Sequence, residues 1–205
     1  MQNMKRRFFI VGTDTEVGKT VVTAGLAMTL QARGCRVGVM KPVSSGCITV
    51  GKTMISEDSV FLMEAAHNQF TRYSSPIRLK EPLAPSVAAE MENTEVDLDL
   101  VFFAYRELMR HYDTLCVEGV GGLLVPLKAD YMVTDLIRDL HMPIIIVGRI
   151  GLGTINHTLL TVEAARARGF TVAGIILNGL RPEKASLADL TNQNKIKKKS
   201  GVRLL

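Results

Sequence analysis

A lysine followed by a threonine occurs twice in this sequence directly after a glycine-bounded loop. Lys19-Thr20 follows the loop over residues 12–18, and Lys52-Thr53 follows the loop over residues 46–51. In such a loop the backbone N–H groups can face an anion, the lysine adds a positive charge, and the threonine hydroxyl can ligate Mg²⁺. Each stretch is therefore a candidate for binding the phosphates of a nucleotide.

The two stretches differ in spacing and in context. The second has the usual four residues between its glycines, whereas the first has five. The first, however, follows an apolar run that predicts a strand, Phe8–Val11, and a buried helix is predicted to begin at Lys19. Around the second, Pro42 ends the strand early and the next helix is predicted only after Ser56, so no helix N-terminus would point at the loop. We therefore interpret residues 12–20 as the phosphate loop.

Strands and helices are predicted to alternate along the whole chain. The strand signals are continuously apolar, as in strands that are buried on both faces, and lie at residues 8–11, 36–41, 114–117, 143–147 and 171–177. Amphipathic or buried helical segments are predicted between them. The pattern predicts one α/β domain over residues 1–205, with a mainly parallel sheet and helices on both faces.

Three local features are also predicted. Residues 43–55 are interpreted as a polar loop that contains glycine. Thr94, with Asp97 three residues later, is expected to form a capping box that opens a helix ending at His111. Pro182 is expected at the first position of a last helix that ends near Asn194, with a strand beginning at Val202.

The composition argues against several classes of function. The net charge of +5 comes from a basic stretch, Lys195–Arg203, which we interpret as a solvated helix end and turn. Tryptophan is absent and only 5% of residues are aromatic, which disfavours a stacking surface for single-stranded nucleic acid. No apolar run reaches the length that crosses a membrane, and the three cysteines lack the spacing of a metal site or a disulfide frame. We therefore expect a cytoplasmic protein without a nucleic-acid or membrane partner.

Beyond the loop itself, the sequence resembles the dethiobiotin synthetases, a family with the P-loop NTPase fold. The resemblance begins at residues 12–20, which read G-T-D-T-E-V-G-K-T with the longer spacing of that family. It continues in order through nearly the whole chain, at residues 41–46 (KPVSSG), 56–58 (SED), 118–122 (EGVGG), 153–157 (GTINH) and 175–178 (IILN). Each segment alone is weakly diagnostic, but the ordered set is specific. By this resemblance, the second Gly-Lys-Thr at residues 51–53 is a coincidence in a variable loop.

The resemblance implies a reaction and its participants. Such an enzyme closes a ureido ring on the diamine 7,8-diaminononanoate, using CO₂ and ATP with Mg²⁺, and releases ADP and phosphate. The implied route passes through a carbamate and a carbamic-phosphoric anhydride. The implied assembly is a homodimer with the substrate site at its interface.

The resemblance also implies a role for each site residue. Lys19 and Lys41 are expected to be catalytic, beside the phosphates and the carbamate. Nucleotide contacts are expected from Asn178, which would read adenine, and from Gly12, Thr13, Asp14, Thr15, Glu16, Val17, Gly18, Lys19 and Thr20. The expected Mg²⁺ ligands are Thr20, Asp58 and Glu118, with Glu57 left open as an alternative to Asp58. Substrate contacts are expected from Ser45, Gly121, Gly122, Gly153, Thr154, Ile155 and Asn156.

Other functions fit parts of the pattern. A partition or septum-site ATPase would carry an extra lysine near the start of the phosphate loop, where this chain has Thr13-Asp14-Thr15. A synthetase of the amidotransferase type would need a glutaminase domain, for which 205 residues leave no room. A degenerate nucleotide-binding domain without turnover is a third alternative. The family pattern continues beyond Leu205 through a Gly-x-x-Pro turn that holds the purine, so the choice of base stays open.

Overall fold

Five parallel strands form the central sheet of the protein. A computed structural model describes residues 6–67, 71–179 and 186–205. The sheet strands are β1 (Arg6–Gly12), β2 (Val37–Met40), β7 (Thr114–Gly122), β10 (Ile144–Arg149) and β11 (Val172–Asn178). Their order in the sheet is β11-β10-β1-β7-β2, and every neighbouring pair is parallel. The phosphate loop therefore leaves the central strand at its carboxyl end.

Helices cover both faces of this sheet. The longer helices are α1 (Lys19–Gln31), α2 (Glu57–Ala65), α5 (Leu98–His111), α6 (Val133–Leu140), α7 (Thr154–Ala167) and α8 (Leu187–Ser200); α3 (Thr71–Ser74) and α4 (Pro85–Met91) are short. Successive residues of β1 point to opposite faces: Ile10 packs in the core beneath α1 and α2, whereas Phe9 and Val11 pack in the core beneath α5 to α8. This arrangement confirms the predicted doubly covered sheet.

Residues 43–55 are more regular than the predicted loop. They contain β3 (Val43–Ser44), which pairs with β6 (Ile77–Arg78), and a hairpin of β4 (Ile48–Val50) and β5 (Thr53–Ile55). A second short hairpin joins β8 (Pro126–Lys128) to β9 (Tyr131–Met132). These pieces are too short to carry an apolar period, so sequence pattern alone does not reveal them.

Two helix ends differ from the predictions. The cap of α5 is Asp97 rather than Thr94, because the Asp97 carboxylate accepts a hydrogen bond from the Leu100 N–H at 3.0 Å. The last helix begins after its cap, Ser186, and runs on to Ser200, six residues beyond the predicted end. Its basic last turn complements the helix dipole.

The remaining features at this end of the chain are brief. The predicted position of Pro182 lies outside the described residues. After α8, the expected strand reduces to a single parallel bridge between Leu204 and Ile175.

Among the described residues, no helix has the length and apolar content needed to span a bilayer. The cytoplasmic location stays a prediction.

Candidate active site

The loop over residues 12–20 curls tightly between β1 and α1. Two of its residues have a left-handed backbone, Glu16 with φ 58° and Gly18 with φ 88°. Gly18 also has no room for a side chain, since a Cβ there would lie 1.9 Å from the Nδ2 atom of Asn178. The Lys19 ammonium folds back to donate to the Asp14 carbonyl at 3.3 Å. The loop thus places a lysine and the N-terminus of α1 around one small space.

The second Gly-Lys-Thr stretch has a different geometry. Gly51 and Lys52 form the turn of the hairpin between β4 and β5, where Gly51 has φ 64°. Lys52 is exposed there, and the next helix begins only at Glu57. No helix N-terminus follows this turn directly, so the geometry favours residues 12–20 as the phosphate loop.

A cavity of about 380 Å³ opens beside the phosphate loop and is lined by side chains from α1, α2, β7 and the loop segments near them. The Lys41 ammonium, just after β2, pairs with the Asp58 carboxylate of α2 and lies 3.1 Å from the Oε1 atom of Glu118. The hydroxyl of Thr20, in the first turn of α1, donates to the same Glu118 oxygen at 2.9 Å. The cluster therefore joins two carboxylates, one ammonium and one hydroxyl.

The pKa values of the two cavity lysines are shifted in opposite directions. Burial disfavours the charged form of Lys41, but the carboxylates of Glu118 and Asp58 outweigh this effect and hold its pKa above the ordinary value. Burial dominates at Lys19 and lowers its pKa, although the Glu118 charge counteracts part of that effect. Lys41 is consequently held in its charged form, whereas a bound anion would stabilise the charged form of Lys19.

The oxygen atoms around Glu118 fit a hard divalent cation. The Glu118 side chain is 0% exposed, and its Oε2 atom has no hydrogen-bond partner among the described residues. Asp58 and Thr20 supply further oxygen atoms on the same cavity wall, and water can complete such a set. Asp58 lines the cavity and pairs with Lys41, whereas Glu57 is absent from the cavity lining. Between these two acids, the geometry favours Asp58.

The expected substrate residues are divided between different parts of the surface. Ser45 and Gly121 line the same cavity as Lys41. Gly122 lies in an adjoining cavity of about 530 Å³, together with residues 12–15 of the phosphate loop. Gly153, Ile155 and Asn156 line a separate cavity of about 490 Å³ at the start of α7, where Thr154 is buried. Within one chain, the segment 153–156 is therefore not brought to Lys41.

Asn178 makes a contact that sequence reasoning did not anticipate. It ends β11, and its Nδ2 atom donates to the Val17 carbonyl of the phosphate loop at 3.1 Å. The two residues are 161 positions apart, so only the parallel sheet brings them together. Val120 and Pro82 also line the main cavity without having been predicted, because no side-chain chemistry singles them out.

Comparison of the sequence with known proteins indicates the family of this chain. A family model described as an AAA domain matches residues 6–205. The ATP-dependent dethiobiotin synthetase BioD of Thermodesulfovibrio yellowstonii is 42% identical over 202 residues, which cover 95% of this chain and 84% of the relative. That of Bacillus subtilis strain 168 is 39% identical over 201 residues, 98% of this chain and 85% of the relative.

The chain belongs to the dethiobiotin synthetase family. Members are ATP-dependent ligases, and the ATP-dependent class predicted from the ordered motifs is confirmed. Archaeal members are similar as well: the BioD of Methanocaldococcus jannaschii is 42% identical over 178 residues, which cover 83% of this chain and 78% of the relative.

Solved structures outside the dethiobiotin synthetase family share the fold. The signal recognition particle 54 kDa protein of Aeropyrum pernix K1, solved with GDP, has a TM-score of 0.56 at 13% identity and covers 100% of this chain and 41% of its own. A ParA family ATPase from Chlorobium tepidum TLS has a TM-score of 0.53 at 16% identity and covers 98% of this chain and 82% of its own. At these identities the likeness concerns the fold alone, and it confirms the P-loop NTPase-like class.

Proposed function

We propose that this protein closes a ureido ring on 7,8-diaminononanoate with CO₂ and ATP, yielding dethiobiotin, ADP and phosphate. The observation that carries the proposal is the convergence of Lys41, Asp58, Glu118 and Thr20 in one cavity beside the phosphate loop. Family membership supports the choice of substrates, since the relatives are dethiobiotin synthetases.

The nucleotide would lie along the loop over residues 12–20. Backbone N–H groups of the loop and of the start of α1 would bind the phosphates, and Lys19 would neutralise the β- and γ-phosphates. The Asn178 amide, which already contacts the loop, would face the base. Thr20, Asp58 and Glu118 would hold a Mg²⁺ ion, which when bound would neutralise phosphate charge.

Lys41 would act on the reacting atoms. One substrate amine takes up CO₂ and loses a proton, and the carbamate oxygen that forms attacks the γ-phosphate while ADP leaves. The nitrogen of the second amine then attacks the carbonyl carbon of the carbamic-phosphoric anhydride and loses a proton, and the C–O bond to phosphate breaks as the ring closes. A charged Lys41 stabilises the negative charge of the carbamate and of the transferring phosphoryl group, so positioning and charge neutralisation supply most of the catalysis.

The substrate would lie between two copies of the chain. Ser45, Gly121 and Gly122 would contact it from the subunit that binds ATP, and the segment 153–156 of the other copy would bind its carboxylate at the start of α7. The separation of this segment from Lys41 within one chain supports the proposal. So does the exposure of two apolar side chains beside it, Leu152 (90%) and Leu160 (55%).

The test is the dependence of ADP release on each participant. With ATP, Mg²⁺ and bicarbonate, we expect ADP to form only after 7,8-diaminononanoate is added, in a ratio of one ADP to one diamine consumed. ATP hydrolysis at an equal rate without the diamine would contradict the proposal and would favour a switch ATPase. Nucleotide binding without any turnover would contradict it in favour of a degenerate domain.

A further inference from the structure

Four serine hydroxyls form a connected group in the interior, directly behind the wall of the main cavity. We call Ser44, Ser56, Ser59 and Ser75 the buried serine cluster; their residues are 1%, 6%, 3% and 1% exposed. Ser44 lies 3.0 Å from Ser75 and 3.5 Å from Ser59, oxygen to oxygen, and Ser59 donates to Ser56 at 3.0 Å. The hydroxyl chain thus runs from Ser75 through Ser44 and Ser59 to Ser56.

Each part of this cluster adjoins a residue of the cavity. Ser44 immediately precedes Ser45, and Ser59 immediately follows Asp58. Ser75 follows Ser74, whose carbonyl accepts a hydrogen bond of 2.6 Å from the backbone N–H of Lys41. The cluster therefore connects three backbone segments. Residues 41–45 carry both the lysine and a proposed substrate contact, residues 56–59 carry the aspartate, and residues 74–75 bind the backbone N–H of the lysine.

The Asp58 carboxylate depends on its backbone for its position. Its side chain is 51% exposed and, among the described residues, is held on one side only, by the Lys41 ammonium, so the direction from which it reaches Lys41 is set by its backbone. Its backbone belongs to the first turn of α2, which Ser56 caps by accepting from the Ser59 N–H at 3.2 Å. The Ser59 hydroxyl then faces Ser44 across the interior at 3.5 Å, a long contact in which Ser44 is the donor because the Ser59 proton is directed to Ser56. Hydrogen bonds are directional, unlike apolar contacts, so they fix the separation of two segments as well as their proximity.

We propose that the buried serine cluster positions Lys41 and Asp58 relative to each other and to Glu118. Ser44 and Ser59 are its central members and act only through the backbone, without touching substrate or nucleotide. This inference rests on the proposed function, since Lys41 and Asp58 are there the phosphoryl-transfer and metal-binding groups. Mutation of groups that orient metal ligands in this way typically lowers metal affinity or activity by about 10- to 100-fold.

The test uses Ser44→Ala and Ser59→Ala in the full chain. We expect kcat of diamine-dependent ADP formation to fall about tenfold or more, while KM for ATP changes less than about twofold, because the phosphate loop is not touched. The dissociation constant for Mn²⁺ in the presence of ADP, followed by electron paramagnetic resonance, should rise about tenfold. Ser44→Cys keeps a weaker donor of similar shape and should recover part of the lost kcat.

Ser186→Ala is the matched control. Ser186 also caps a helix through its hydroxyl, which accepts from the Asp189 N–H at 3.2 Å, and it lies at the start of α8, outside the cavity lining. It should lower the melting temperature and leave kcat and Mn²⁺ binding unchanged. Ser75→Ala removes only the end of the cluster and gives a milder variant should the central ones not fold.

Two results would overturn the inference. One is unchanged kcat and Mn²⁺ affinity in Ser44→Ala and Ser59→Ala together with a lowered melting temperature, which would make the cluster a purely structural element. The other is a loss of kcat in Ser186→Ala as large as that in the cluster variants. A wild-type protein without diamine-dependent turnover would refute the proposed function instead. The dissociation constant for Mn²⁺ in the presence of ADP would then still test whether the cluster positions the metal ligands.

Discussion

At the scale of single residues, the position of a lysine relative to a helix start determines whether it can serve a phosphate. Lys19 begins α1 inside a curled loop, whereas Lys52 is exposed at the turn of a hairpin. We predict that Lys19→Ala lowers nucleotide turnover by about 10²-fold or more, since it removes a positive charge that stabilises the transferring phosphoryl group. Lys52→Ala should retain nearly full turnover, measured as ADP release. The reverse result would show that the strict Gly-x-x-x-x-Gly-Lys-Thr pattern marks the phosphate loop after all.

A second residue-scale prediction concerns Asn178. Its hydrogen bond to Val17 indicates that it holds the phosphate loop, in addition to its proposed contact with the base. Asn178→Ala should therefore weaken binding of tripolyphosphate, which has no base, by roughly fivefold, the value of one hydrogen bond of about 1 kcal/mol. Asn192→Ala is the control, because its amide likewise donates to a backbone carbonyl, that of Gly151 at 3.1 Å. Calorimetry that finds weaker ATP binding but unchanged tripolyphosphate binding would limit Asn178 to the base.

Residue types alone predicted part of this site. Lys19, Thr20 and Glu118 follow apolar strands directly or begin a helix, so local pattern predicts that they gather at the carboxyl edge of the sheet. The pairing of Lys41 with Asp58 crosses only 17 residues, but the chain between them forms a hairpin that no apolar period revealed. The contact of Asn178 with Val17 joins residues 161 positions apart. This second contact depends on how strands are ordered in the sheet, which no local pattern contains.

At the scale of elements, the cap of α5 offers a direct comparison. The Asp97 carboxylate accepts from the Leu100 N–H, whereas Thr94, the residue that the sequence suggested, is exposed and precedes the helix. Asp97→Ala should lower the free energy of unfolding by about 1 kcal/mol, the usual cost of losing a helix cap. Thr94→Ala should change it by less than about half of that value. Equal losses in urea titrations would restore Thr94 as part of the cap.

The same scale shows where prediction from sequence succeeds. Each of the five sheet strands contains a continuous apolar run, because helices cover both faces of the sheet. Such runs can be recognised in the sequence. Strand β7 extends to Gly122, beyond the predicted end at residue 117, because Gly122 still pairs with Gly12 of β1 after an irregularity in the register. The glycine-rich composition of this extension resembles a loop. The hairpin over residues 48–55 lies at the surface, so no buried face imposes a period on its sequence.

At the scale of the whole molecule, the proposed active site requires two copies of the chain. Light scattering should give the mass of a dimer of 22.5 kDa chains. Leu160→Glu places a charge on an exposed apolar surface of α7 and should shift the protein towards the monomer, with loss of diamine turnover. Met28→Glu, on the exposed side of α1, is the control and should remain dimeric. A wild-type monomer with full diamine-dependent turnover would refute the shared site.

The central claim is that this chain converts a diamine, CO₂ and ATP into a cyclic urea. The most direct measurement is mass spectrometry of the products after incubation with 7,8-diaminononanoate, ATP, Mg²⁺ and ¹³C-bicarbonate. We predict a new species that carries one ¹³C and equals the diamine plus a carbonyl group less two hydrogens, formed in step with ADP. ADP release without this species, or the species without ¹³C, would contradict the proposed ring closure.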